Sequence, residues 1–83
     1  MPYITKEQRE LVDPVSDLAS STPGELNYQL TALVTEYLRR RGISYTALNE
    51  AIGVLECAKL ELYRRLVAEY EDQKCKANGD VYK

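Results

Sequence analysis

The sequence predicts an all-α protein, with an N-terminal helical arm, an antiparallel helix pair and a long C-terminal helix that oligomerises through helix packing. Three observations predict it. Helix start and stop signatures recur at Thr5, Thr22, Gly42 and Asn78-Gly79. Apolar residues between them follow the helical period. No stretch shows the alternation or β-branched enrichment of a convincing strand. The 83 residues read as one helical domain, 1–83, divided into an arm (1–21), a central helix (22–42), a long helix (44–78) and a tail (79–83).

Thr5 opens the first helix, and Gln8 three residues on completes a capping box. Asp13-Pro14 reads as a break and restart, with Val15 and Leu18 facing the core and Ser20-Ser21 closing the piece. Thr22-Pro23-Gly24-Glu25 is the clearest start, combining a Thr cap, Pro at the first position and Glu at the third. Leu26, Leu30, Leu33, Val34, Tyr37 and Leu38 form its apolar stripe. Arg39, Arg40 and Arg41 sit in the last turn, where cations suit the negative end of the dipole, and Gly42 supplies a stop.

The short link Ile43-Ser44 sets the next helix antiparallel to this one. That helix is about 50 Å long at 1.5 Å per residue, whereas a globule of this length is about 25–30 Å across. It therefore bends at Gly53 or projects into a partner. Its apolar arc takes in Leu48, Ala51, Ile52, Leu55, Ala58, Leu62, Tyr63, Leu66, Val67 and Tyr70. The arc spans roughly 200° of the wheel, wider than an ordinary surface helix needs. Burial on two sides follows as the expectation, one by the chain itself and one by another copy. Asn78-Gly79 ends the helix, and Val81 and Tyr82 fold back onto it.

Composition narrows function. A core of this size is marginal alone, which favours self-association. A formal net charge of -2 with 29% charged residues gives no global field for nucleic acid or membrane. No run approaches the roughly 20 apolar residues of a membrane span, and no secretory signal opens the chain, so the expected setting is cytoplasmic. Cys57 and Cys75 lie roughly 27 Å apart along one helix, beyond disulfide reach. There is no His, which removes the commonest general base and the commonest transition-metal ligand. No cofactor is expected. All seven aromatics are Tyr, suited to half-wet surfaces where ring and hydroxyl both find partners.

Lys59 is the sharpest signal, because it falls inside the apolar arc one turn after Glu56. Such a charge must snorkel to water, pair with Glu56, or meet an anion. Arg64 and Arg65 flank the same arc, and guanidinium forks suit phosphate. Alternatively they form surface ion pairs with Glu61, Glu69 and Asp72. Tyr28, Tyr63, Tyr70 or Tyr82 would stack on a base, and Asn27 or Asn49 would hydrogen-bond its edge or simply cap backbone. Two carboxylate pairs at i, i+3, Glu7 with Glu10 and Glu69 with Asp72, resemble those of Mg²⁺-dependent all-α nucleotide pyrophosphohydrolases. No further acidic cluster completes such a site. No Gly-rich phosphate loop is present, and Cys57 lacks a His to activate it.

Gly-Glu-Leu-Asn-Tyr (24–28), Asn-Glu-Ala-Ile-Gly-Val-Leu-Glu-Cys-Ala-Lys-Leu-Glu-Leu-Tyr-Arg-Arg (49–65), Tyr-Glu-Asp-Gln-Lys (70–74) and Asn-Gly-Asp-Val-Tyr (78–82) carry a resemblance. The chain is similar to a family of short, functionally uncharacterised helical proteins from phages and prophages. The resemblance implies a viral setting. Small phage proteins of this kind oligomerise and act by binding, including as sponges for nucleotide signals of bacterial antiviral defence. The expected function is thus a non-enzymatic, homo-oligomeric binder of an anionic, nucleotide-like molecule. Its ligand residues would be Lys59, Arg64, Arg65, Glu56, Asn27, Tyr28, Asn49, Tyr63 and Tyr70. An inhibitor of a host protein, using the Tyr-rich C-terminal half, is the alternative, with the pyrophosphohydrolase a third.

Overall fold

The structure, a computed structural model, describes residues 3–12 and 21–82. The restart at Asp13-Pro14, with Val15, Leu18 and Ser20, lies outside the described residues. The described chain is helical, with no strand. In order, the elements are α1 (Lys6–Glu10), α2 (Pro23–Arg41), α3 (Tyr45–Leu62), a π-helical turn (Tyr63–Val67) and α4 (Ala68–Asn78). The all-α class and the long C-terminal helix are those the sequence predicts. The chain divides into two compact units, Pro2–Ile52 and Gly53–Lys83. The division falls inside α3.

In the first unit, side-chain chemistry fixes the helix starts. Thr5 Oγ1 accepts from the Gln8 N–H at 3.1 Å, and Gln8 Oε1 accepts from the Thr5 N–H at 2.9 Å. Both halves of the capping box are therefore present, which satisfies donors that a helix start otherwise leaves open. At α2, Thr22 Oγ1 accepts from the Glu25 N–H, and Pro23 occupies the first turn, where its missing donor costs nothing. The Glu25 carboxylate also accepts from the Thr22 and Ser21 hydroxyls.

Gly42 ends α2 at φ 91°, a conformation that side chains resist, while its N–H still reaches the Leu38 carbonyl. Ser44 Oγ then accepts from the Ala47 N–H and opens α3. Across this corner the Arg41 guanidinium grips Glu50, with Nη2 at 3.0 and 3.1 Å from the two carboxylate oxygens and Nε at 3.3 Å. Ala47 and Ala51, one turn apart on α3, are 0% and 6% exposed. They are the buried apolar residues among those described. Val34 and Leu38 of α2 are half-buried, while Leu26, Leu30, Leu33 and Tyr37 of the predicted stripe stay exposed.

The second unit departs from the single regular helix that the sequence predicts. After Leu62 the backbone widens for one turn. The Ala68 N–H donates to the Tyr63 carbonyl, five residues back instead of four. Leu62 and Ala68 on either side keep ordinary right-handed geometry. Such a turn acts as one extra residue in the helix, so everything beyond it lags by about 100°. The apolar spacing through Leu62, Tyr63, Leu66, Val67 and Tyr70 matches an uninterrupted helix and gives no sign of the insertion. α4 closes at Gly79, at φ 88°, whose N–H reaches the Cys75 carbonyl. The predicted folding-back of Val81 and Tyr82 leaves both almost fully exposed, at 89% and 96%.

Candidate functional site

Lys59 does not lie buried in the arc. Its side chain is 69% exposed, and Nζ sits 3.1 Å from Glu56 Oε1. Of the readings open from sequence, the structure shows the one-turn pair with a wet head group. Arg64 Nη2 likewise contacts Glu61 Oε1 at 2.6 Å. Arg65 is exposed, and among the described residues it makes no ion pair. Neighbouring positions on a helix diverge by about 100°, so Arg64 and Arg65 look out on different sides. No single helix can close all three cations on one ligand.

Tyr63 and Tyr70 are half-wet, as their residue type suggests. Tyr63 is exposed, yet its hydroxyl donates to Glu71 Oε1 at 2.9 Å. The hydrogen bond to Glu71 and the charge of that carboxylate hold the Tyr63 phenol above its usual pKa, with lesser help from burial and Tyr82. Tyr70 is exposed, and the Lys74 ammonium lies 5.5 Å from its ring centroid. That is cation–π distance.

The π turn explains the Tyr63–Glu71 contact. Residues eight apart diverge by about 80° on a regular helix, whereas seven apart they align within about 20°. The extra residue makes eight behave as seven, so Glu71 and not Tyr70 comes under Tyr63. Glu71 is thus the site residue that sequence reasoning misses. The only available signal was a backbone insertion that leaves no mark on composition.

Tyr63 also walls a cleft of about 550 Å³ between the π turn, α4 and the tail, with Glu71, Asp72, Lys74, Asp80 and Tyr82 around it. Three carboxylates against one ammonium make it acidic. It does not suit a phosphate.

The remaining expected ligand residues belong to the first unit. Asn27 Oδ1 accepts from the Thr31 hydroxyl at 3.2 Å, one turn on, which is the local pairing common for helical amides. Tyr28 and Asn49 are exposed on α2 and α3. The arginines of the α2 end are engaged locally. Arg39 and Arg40 both bind Glu36, and Arg41 binds Glu50. Of the carboxylate pairs, Glu7 and Glu10 fall in the first unit and Glu69 and Asp72 in the second. Among the described residues no group of three or more metal-ligating side chains comes together. Both cysteines are free thiols, Cys57 exposed and Cys75 half-buried. Among the described residues no helix is long and apolar enough to cross a membrane.

Residues 1–81 match the family model of a domain of unknown function, DUF6899. The chain belongs to that family. No curated protein and no solved structure matches it. Membership in DUF6899 covers nearly the full chain, including the π turn and the cations around it, and assigns none of them a role.

Proposed function

We propose that this DUF6899 chain is a non-enzymatic, self-assembling binding protein of the cytoplasm, whose C-terminal helix pairs between copies and sequesters an anionic, nucleotide-like small molecule. A signal of bacterial antiviral defence, met in a phage-infected cell, is the ligand class we favour. One observation carries the reading. Leu62, Tyr63, Leu66 and Tyr70 are all exposed on the stretch of helix that also exposes Lys59, Arg64 and Arg65.

Apolar surface of that extent gains by being covered, at about 25 cal/mol per Å². The cations diverge around one helix, so a ligand that meets several of them needs a second copy to close the site. Lys59 gives up little on meeting an anion, because its exposed ion pair with Glu56 is worth about 0–1 kcal/mol. Arg65 gives up none. Exposed Tyr63 and Tyr70 offer rings for a base. Glu56 would then orient Lys59 or release it.

The acidic cleft of α4 and the tail favours a second reading, in which the Tyr-rich half binds a basic surface of a host protein and blocks it.

Native mass spectrometry separates the two. The protein is purified from cells that make nucleotide defence signals and compared under native and denaturing conditions. A discrete oligomer carrying a small mass, released on denaturation and lost in Lys59→Ala/Arg65→Ala, is the expected result. A clean oligomer that instead retains one host protein at fixed stoichiometry supports the second reading. A monomer with nothing bound overturns the first.

A further inference from the structure

We propose that the π turn is a register switch for α4, latched by the Tyr63–Glu71 hydrogen bond. Two registers of one helix compete here. In the register observed, Ala68 bonds to Tyr63, and Glu71 Oε1 accepts from the Tyr63 hydroxyl at 2.9 Å. If the turn relaxes to α geometry, Ala68 bonds to Arg64 and α4 advances by about 100°. Tyr70 then takes the place of Glu71 beneath Tyr63, within about 20° of it.

The exchange has a chemical consequence. In the α register, Leu62, Tyr63, Leu66, Val67 and Tyr70 share one side of the helix, within about 140°. In the π register Tyr70 moves from beneath Tyr63 to the edge of that side, within about 20° of Leu62, and the Glu71 carboxylate takes its place in the middle. The α register therefore offers a continuous apolar surface, and the π register offers a broken one. The π register skips one carbonyl, which an exposed helix leaves open to water, so neither register is excluded by a buried unsatisfied polar group. The balance rests on what the side chains gain. Tyr63 with Glu71 favours π. Covering the apolar side favours α.

This ties the switch to the proposed self-assembly, on which its biological use rests. Pairing of two copies along the continuous side would draw the helix into the α register, and the latch would hold assembly back until a partner or ligand outweighs it. A state can be selected in this way only by a difference in binding between the two forms. The difference here is the position of Tyr70 and Glu71.

Two variants test the latch on the full chain. Tyr63→Phe keeps the ring and removes the donor, and Glu71→Ala keeps the helix and removes the acceptor. The readout is the acceptor of the Ala68 amide, taken from through-hydrogen-bond couplings between the amide nitrogen and the Tyr63 or Arg64 carbonyl carbon. Both variants are expected to move the acceptor from Tyr63 to Arg64. A single hydrogen bond of ordinary worth shifts the balance by roughly fivefold. If the acceptor stays at Tyr63 in both variants, the latch does not exist. Sedimentation of the same samples reads assembly separately. Tighter self-association together with the register change supports the coupling. A register change in a chain that stays monomeric leaves the latch standing and overturns the assembly reading.

Discussion

The two units of the chain are held by different kinds of chemistry. In Pro2–Ile52 three helix starts and the end of α2 carry their own signals: Thr5 with Gln8, Thr22 with Glu25, Ser44 with the Ala47 amide, and Gly42. A bidentate ion pair, Arg41–Glu50, then fixes the corner. The contacts are local in sequence or span one tight turn, and each leaves the backbone one good choice. In Gly53–Lys83 the helix continues for 26 residues to Asn78 (53–78), and its one irregularity arises where no cap, Gly or Pro marks it. A single exposed hydrogen bond, Tyr63–Glu71, accompanies it. One unit is specified by end chemistry, the other by a balance between registers. That balance places the chemistry-bearing residues, so the less specified unit holds the better candidate site.

The largest contrast should come from carboxylates placed at equivalent small residues. Ala51 is buried in the first unit, while Ala58 two turns on is exposed in the second. Ala51→Asp leaves a charge without water or partner and should destabilise by about 3 kcal/mol. Ala58→Asp should fall within about 0.5 kcal/mol of the parent. Urea denaturation followed by helical circular dichroism measures both. Equal effects at the two positions would mean that burial does not distinguish the units.

Glycines give a contrast of opposite sign. Gly42 sits at φ 91°, so Gly42→Ala should cost about 1–3 kcal/mol whatever the open space around it. Gly53 lies within α3 with open space where an alanine methyl would stand, so Gly53→Ala should stabilise by about 0.5–1 kcal/mol. Thermal melts of the two variants should move in opposite directions. A loss at Gly53 would show that this point of the helix needs glycine's freedom.

Thr22→Ala removes the acceptor that receives the Glu25 amide, and should cost about 1 kcal/mol. The expected footprint is local, with faster amide exchange confined to the first turn of α2. Spread of the fast exchange into α4 would break the view that the units are stabilised separately.

These caps also mark what was legible in the sequence. Thr5, Thr22, Gly42 and Gly79 do what residue type dictates, because a hydroxyl beside an open amide or a glycine at positive φ has few other uses. Arg39 and Arg40 pairing with Glu36, and Asn27 with Thr31, follow from one-turn spacing. Lys59 was legible as a charge on an apolar arc, but its exposure was not, because exposure depends on what covers the arc. The π turn was hidden for a different reason. Tyr-Arg-Arg-Leu-Val fits the helical period in either register, and only the distant Glu71 tells them apart. Periodicity reads the average pitch of a helix and is blind to one inserted residue.

The smallest expected effect compares two carboxylates, Glu36 and Glu71, that accept from side chains one and two turns away. Glu36 accepts from Arg39 Nε at 2.9 Å and Nη2 at 2.7 Å, and from Arg40 Nε at 2.9 Å. The Arg39 hydrogen bonds first, then that of Arg40, push its pKa from an ordinary 4.5 down to about 2. Because the folded value is the lower one, the stabilisation is complete above pH 4.5 and is lost as the pH falls towards 2. Both partners are exposed, so salt screens the gain and the effect on stability is slight. The carboxyl carbon resonance of Glu36 should nevertheless titrate with a midpoint near 2, and Arg39→Gln/Arg40→Gln should return it towards 4.5. Glu71 differs because its donor is a neutral phenol. Molar salt should raise the Glu36 midpoint while leaving the Tyr63–Glu71 bond in place, so the ionic contact of the first unit weakens under conditions that the contact of the second survives. A Glu36 midpoint of 4.5 in the parent protein would show that the arginine fork is not held in solution.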